Sequence, residues 1–127
     1  MNDGSVLLKQ VDFVSPEGIK KGDILVENGK IIEIEPVINK EAELVINERG
    51  VTVLPGCIDP HVHFREPGAT HKEDIQSGSK AAAAGGVTSF FEMPNTNPAA
   101  TTNAVINQKK EIAKRSSLVN YNFFIGF

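Results

Sequence analysis

Apolar and polar positions alternate in two different ways along this chain. Residues 5 to 54 hold short β-rich runs separated by turns: Val6-Leu7-Leu8, Asp23-Ile24-Leu25-Val26 and Lys30-Ile31-Ile32-Glu33-Ile34. Asn28-Gly29 lies between the second and third runs. That dipeptide most readily supplies the two positive φ angles of a type I′ turn, so a tight hairpin is predicted there. Pro36 and the stretch Asn39-Lys40-Glu41 interrupt the pattern before a further strand at Leu44-Val45-Ile46. The expectation for this region is a small, mostly antiparallel sheet.

From Val51 the order becomes strand, helix, strand, helix, strand, which produces a parallel sheet with crossover helices. The chain is therefore divided into residues 1–54 and residues 55–127. A first helix is expected from Thr70 to about Ala84, because Thr70 and Glu73 have capping-box spacing and Gly85-Gly86 supplies a stop. Its small residues, Gly78, Ser79 and Ala81 to Ala84, suit close packing on a sheet. The run from Val87 to Met93 is β-branched and aromatic on both parities, as for a strand buried on both faces, and Pro94 ends it. A second helix is expected from about Thr102 to Lys114, with Val105, Ile106 and Ile112 as its apolar stripe and Thr101 or Thr102 as cap. Leu118 to Phe127 reads as a third strand. The overall class is α/β.

Composition narrows the function classes. Of the 127 residues, 40% are hydrophobic and 23% charged, values that fit a globular chain and exclude disorder or a disulfide scaffold. The net charge of -3 is dispersed and basic residues do not cluster, so nucleic acid is not an expected partner. The single cysteine, Cys57, has no internal partner and reads as a small buried residue. No apolar run nears the roughly 20 residues of a membrane-spanning helix, and Met1 to Gly4 lack a secretory pattern, so a cytoplasmic protein without membrane contact is expected.

Candidate chemistry concentrates in Ile58-Asp59-Pro60-His61-Val62-His63-Phe64-Arg65, where every even position is apolar and every odd position is polar or ionisable. On a regular strand Asp59, His61, His63 and Arg65 would form one row with Cα atoms about 6.5 to 7 Å apart. Two imidazoles at that spacing can converge on one metal ion at bonds of roughly 2.0 to 2.1 Å. Alternation alone fits an exposed antiparallel strand equally well, but the position at the opening of a βαβ series, with an acid before and an arginine after, favours metal. Asp59 is expected behind the ligands, orienting a histidine or a backbone group. His71 and Asp74 are assigned to a first helical turn, where capping explains a carboxylate. Glu92, of opposite parity to Asn95, is left as a supporting or surface residue, and Pro60 can mark an irregularity that re-aims its neighbours.

The segment Pro55 to Gly68, with Thr70-His71-Lys72-Glu73-Asp74 and Met93-Pro94-Asn95-Thr96-Asn97-Pro98, closely resembles dihydroorotases. The resemblance implies a (β/α)₈ barrel joined to a small β-sandwich, and the reversible cyclisation of N-carbamoyl-aspartate to dihydroorotate in pyrimidine synthesis. It implies that His61 and His63 bind one of one or two zinc ions. It also implies that Arg65, Asn95 and His63 contact the small-molecule substrate. Zinc in such a site lowers the pKa of a bound water toward about 7 and polarises an amide carbonyl. A closed barrel takes about 250 residues, so this chain is expected to hold about three strands and two helices of one, after part of the sandwich. The resemblance puts the catalytic acid and base and the remaining ligands beyond Phe127. The remainder of the barrel, or an oligomeric partner, is then needed for activity. Two competing readings stand beside it: a related cyclic amidohydrolase of the allantoinase or hydantoinase type, and a non-catalytic truncated paralogue acting as an assembly partner.

Overall fold

A computed structural model describes residues 4–127. It divides into two compact units, Met1–Pro55 and Gly56–Phe127.

The first unit is a five-stranded sheet among the described residues: β1 (Val6–Ser15), β2 (Gly18–Glu27), β3 (Lys30–Glu35), β4 (Leu44–Ile46) and β5 (Thr52–Val53). The order is β3-β2-β1-β4, with β5 also on β1. The first three strands are antiparallel, while β4 and β5 run parallel to β1. Asn28 (φ 49°) and Gly29 (φ 70°) form the predicted turn between β2 and β3. Strand β1 extends well past the Val6-Leu7-Leu8 run. It continues to Ser15 through a bulge at Gln10, where the register slips between Leu8 and Val11. The buried Asp23 carboxylate holds that bulge, accepting from Gln10 N at 2.8 Å and Ile38 N at 2.9 Å, with Lys9 Nζ 3.3 Å away. Burial pushes this carboxyl up. The N–H groups of Ile38 and Gln10 and the Lys9 ammonium together outweigh that push and hold it below the usual carboxylate value. Leu7, Leu25 and Ile38 form the buried apolar cluster beside it.

The second unit is a three-stranded parallel sheet in the order β6 (Cys57–Val62), β7 (Val87–Glu92), β8 (Asn120–Phe123). Crossover helices α1 (Ile75–Ala84) and α2 (Asn103–Ser116) join the strands. The helices cover the sheet face bearing Phe90 and Phe123, which pack with Ile75 and Ala113. Side chains as large as Phe and Ile contribute about 1.5–3 kcal/mol each when fully buried. On α1 the close contact is made by Gly78 and Ser79, while the alanine run is mostly exposed. A Cβ on Gly78 would lie 2.5 Å from the Phe64 ring, and Ser79 Oγ accepts from Leu118 N at 3.1 Å.

Several boundaries differ from the sequence expectation. Helix α1 starts five residues late, because Thr70 to Lys72 form turns closed by Arg65 O and Ala69 O. Asp74 is the N-cap and accepts from Ser77 N at 2.7 Å, while Glu66 Oε2 takes Ile75 N at 3.0 Å. The Ser77 N–H and hydroxyl keep the Asp74 carboxyl below its ordinary value. His71 is thereby left in an exposed turn outside the helix. Thr102 does cap α2. Cys57 is exposed, contrary to expectation, because it opens an edge strand whose start no helix of this unit covers.

Candidate functional site

The candidate residues gather at the C-terminal edge of the parallel sheet, where β6 ends at Val62 and β7 at Glu92. Strand β6 is not the regular ribbon that the alternating pattern suggested. Asp59 is in register with Phe90 and Val62 with Glu92, so β6 spends one more residue than β7 over that stretch, around Pro60. A bulge of this kind bends the strand and re-aims its side chains. Proline, which offers no N–H to the ladder, sits naturally there.

The expected row of four side chains is therefore corrected. Asp59 is registered with Phe90, on the helix-covered face, and its Oδ1 accepts from His61 N at 3.0 Å. Arg65 lies three residues past the strand in the left-handed region, φ 65°. Its side chain departs from a loop, where strand alternation no longer applies.

His61 and His63 do converge. Their Nε2 atoms are 3.2 Å apart, with ring centroids 5.1 Å apart. At that distance either one ring N–H donates to the other ring, or both lone pairs face one cation. Two bonds of about 2.05 Å spanning this 3.2 Å gap would meet at about 100°, close to tetrahedral. His63 Nδ1 lies 2.8 Å from Asn95 Oδ1, and the tautomer that donates from Nδ1 to that oxygen leaves the Nε2 lone pair for an ion. This is the second contact a ligating histidine commonly makes. Asn95 keeps its amide NH₂ for another partner. Among the described residues, no three His, Cys, Asp or Glu side chains are grouped to hold a metal. The donor set contributed here is thus two imidazoles, which fit a divalent ion but leave the remaining positions of a tetrahedron to other ligands.

Two loops carry these groups, and they are tied together. Met93 N donates to Val62 O at 3.0 Å, and Asn97 N donates to Pro67 O at 3.0 Å. Gly68, with φ 96°, allows the close approach, since a Cβ there would lie 2.1 Å from Asn97 O. Beneath the loops, Phe64 packs edge-on against Phe90 with centroids 4.7 Å apart.

Sequence reasoning missed Lys109. It is completely buried on the inner face of α2, with Nζ 2.8 Å from Glu92 Oε2, 3.1 Å from Met93 O and 5.0 Å from the Phe123 ring centroid. Lysine is almost never fully buried without a partner, and the partner is Glu92, which is buried and supporting rather than on the surface. Neither Glu92 carboxylate oxygen has a well-formed hydrogen bond. Burial pushes the Glu92 carboxyl above its ordinary value, more than Lys109 and the N–H groups of Arg65 and Phe64 pull it down.

The sequence signature of the amidohydrolase family matches residues 52–127. An allantoinase of Desulfitobacterium hafniense (strain Y51) is 41% identical over 127 residues, covering 99% of this chain and 28% of its own length. A dihydroorotase of Carboxydothermus hydrogenoformans is 49% identical over 111 residues, covering 86% of this chain and 26% of its own length. Among solved structures, an L-hydantoinase from Arthrobacter aurescens superimposes with a TM-score of 0.90 at 34% identity, over 95% of this chain and 27% of that one. The chain thus spans little more than a quarter of the length of these relatives. No helix among the described residues is long and apolar enough to cross a membrane.

Proposed function

The chain belongs to the amidohydrolase family, and from that premise we propose that it supplies the first two metal ligands and part of the substrate pocket of a cyclic amidohydrolase. The observation that carries this reading is the convergence of His61 Nε2 and His63 Nε2 to 3.2 Å, with His63 Nδ1 held by Asn95. His61 and His63 would hold a divalent ion, with zinc the expected one. When bound, that ion supplies Lewis-acid polarisation of the scissile amide and a water acidic enough to deprotonate near neutrality.

The chain's own residues divide the remaining work. Asp59 fixes the His61 backbone through its N–H and so sets where that imidazole leaves the strand. Asn95 would keep His63 in the tautomer whose Nε2 can bind metal, leaving its own NH₂ for a further partner. Arg65, two residues after His63, would contribute a guanidinium. Such a group can hold a substrate carboxylate through two parallel charge-assisted bonds. A substrate with a ring amide next to a carboxylate suits this set, and dihydroorotate or its open form, N-carbamoyl-aspartate, is the substrate we favour. The rest of a (β/α)₈ barrel, and the groups that move the proton, would come from outside this chain. The five-stranded unit would then be one part of a small sandwich.

A second reading has a specific observation behind it: the allantoinase match extends over 99% of the chain, and the L-hydantoinase match over 95%. Zinc-loaded full-length protein, assayed on dihydroorotate, allantoin and a 5-substituted hydantoin, separates the readings. Turnover of dihydroorotate at least tenfold more efficient than of the other two is expected. A preference for allantoin or the hydantoin would reassign the substrate, and metal-dependent turnover of none of the three would remove the proposal.

A further inference from the structure

Glu92 and Lys109 form a buried charged pair that packing alone does not require. Two apolar side chains of similar volume would fill the space at equal or lower cost, because desolvating both ions can exceed their mutual attraction. What the charged pair does is reach two loops at once. Lys109 Nζ donates to Met93 O at 3.1 Å, the carbonyl at which β7 leaves the sheet, two residues before Asn95. Glu92 is in register with Val62, the residue before His63, and the Val62 carbonyl accepts from Met93 N at 3.0 Å. One end of the pair thus grips the loop of Asn95 and the other faces the loop of His63.

Resting on the metal-site reading above, we propose that Glu92 and Lys109 are positioning residues that hold the His63–Asn95 hydrogen bond, and so keep the His63 Nε2 lone pair directed at the ion. Neither touches metal or substrate. They act through the loop exits after β6 and β7, and Asn95 is the last link before the imidazole.

The test uses the full chain, ¹⁵N-labelled at histidine and free of metal, and the doubly apolar variant Glu92→Met/Lys109→Met. Long-range proton–nitrogen correlation reads the His63 tautomer directly, and competition with a zinc indicator reads affinity for Zn²⁺ alone. The parent is expected to show the Nδ1–H form of His63. The variant is expected to fold and melt cooperatively, with the Nε2–H form appearing and zinc affinity falling about tenfold, the usual effect of losing a contact behind a ligand. A folded variant with the parent's tautomer and zinc affinity would overturn the proposal. If the double variant does not fold, Glu92→Gln, which keeps the shape and removes the charge, must shift the tautomer the same way; an unchanged His63 signal there also overturns it. A parent that binds no zinc would defeat the metal reading, while the tautomer comparison would still decide the role of the pair.

Discussion

Substituting Gly78 by alanine sets helix propensity against the packing of the candidate site. On an exposed helix the change would stabilise by roughly 0.8–1 kcal/mol. Gly78, however, is buried in α1, and its new Cβ would lie 2.5 Å from Cδ1 and 2.6 Å from Cε1 of Phe64. Carbon atoms settle at about 3.5–4.0 Å, so the ring or the helix must yield by about 1 Å. The ring has little freedom, because it also packs edge-on against the fully buried Phe90. Overpacking of this kind costs about 1–3 kcal/mol, which exceeds the propensity gain, and a net loss of about 1 kcal/mol is expected. Phe64 lies between His63 and Arg65, so zinc affinity should fall with it. Urea unfolding of Gly78→Ala, Phe64→Leu and the double variant forms a cycle in which the smaller ring site relieves the clash, giving a favourable coupling of at least about 0.5 kcal/mol. Gly78→Ala more stable than the parent by the full propensity gain, with no coupling to Phe64, would refute the reasoning.

Three further outcomes are expected. Asp23→Ala leaves the N–H groups of Gln10 and the buried Ile38 without their acceptor, and should lower the stability of the first unit by about 1–3 kcal/mol in urea unfolding at pH 7. Because the Asp23 carboxyl titrates lower in the fold than in the unfolded chain, its contribution is full above the unfolded carboxylate pKa. It is lost as pH falls through the folded one, so the gap between parent and Asp23→Ala should narrow in urea titrations run down to pH 3. Arg65→Met should leave zinc content intact while raising KM for dihydroorotate at least tenfold, checked by metal analysis and steady-state kinetics; unchanged kinetics would remove Arg65 from the substrate site. Gly29→Val, placed at φ 70° in the β2–β3 turn, should lower the thermal midpoint, since left-handed backbone costs a non-glycine residue about 1–2 kcal/mol.

Much of the architecture was legible because it follows local rules. Asn28-Gly29 announces its own turn, Thr102 its cap, and the change of period after Val51 the passage from antiparallel to parallel sheet. The start of α1 was misread because two candidate caps compete. Thr70 with Glu73 matched a familiar spacing, but Glu66, brought back by the loop, satisfies Ile75 N and leaves Asp74 to cap. The His-x-His pair was visible in the sequence, yet the geometry that aims it was not. Strict alternation would have set Asp59 and Arg65 beside the histidines, whereas the bulge near Pro60 and the left-handed Arg65 depend on register against β7. Lys109 was hidden for a different reason. A lysine on a helix is ordinarily solvated, and only tertiary packing brings Glu92 and Met93 O to it.

The central claim is that His61 and His63 bind one metal ion through their Nε2 atoms. X-ray absorption on the zinc-loaded full-length protein measures this most directly. A first shell containing at least two imidazole nitrogens at roughly 2.0–2.1 Å is expected, with that contribution and stoichiometric zinc both lost in His61→Ala/His63→Ala. A zinc shell that is unchanged when both histidines are removed would contradict it.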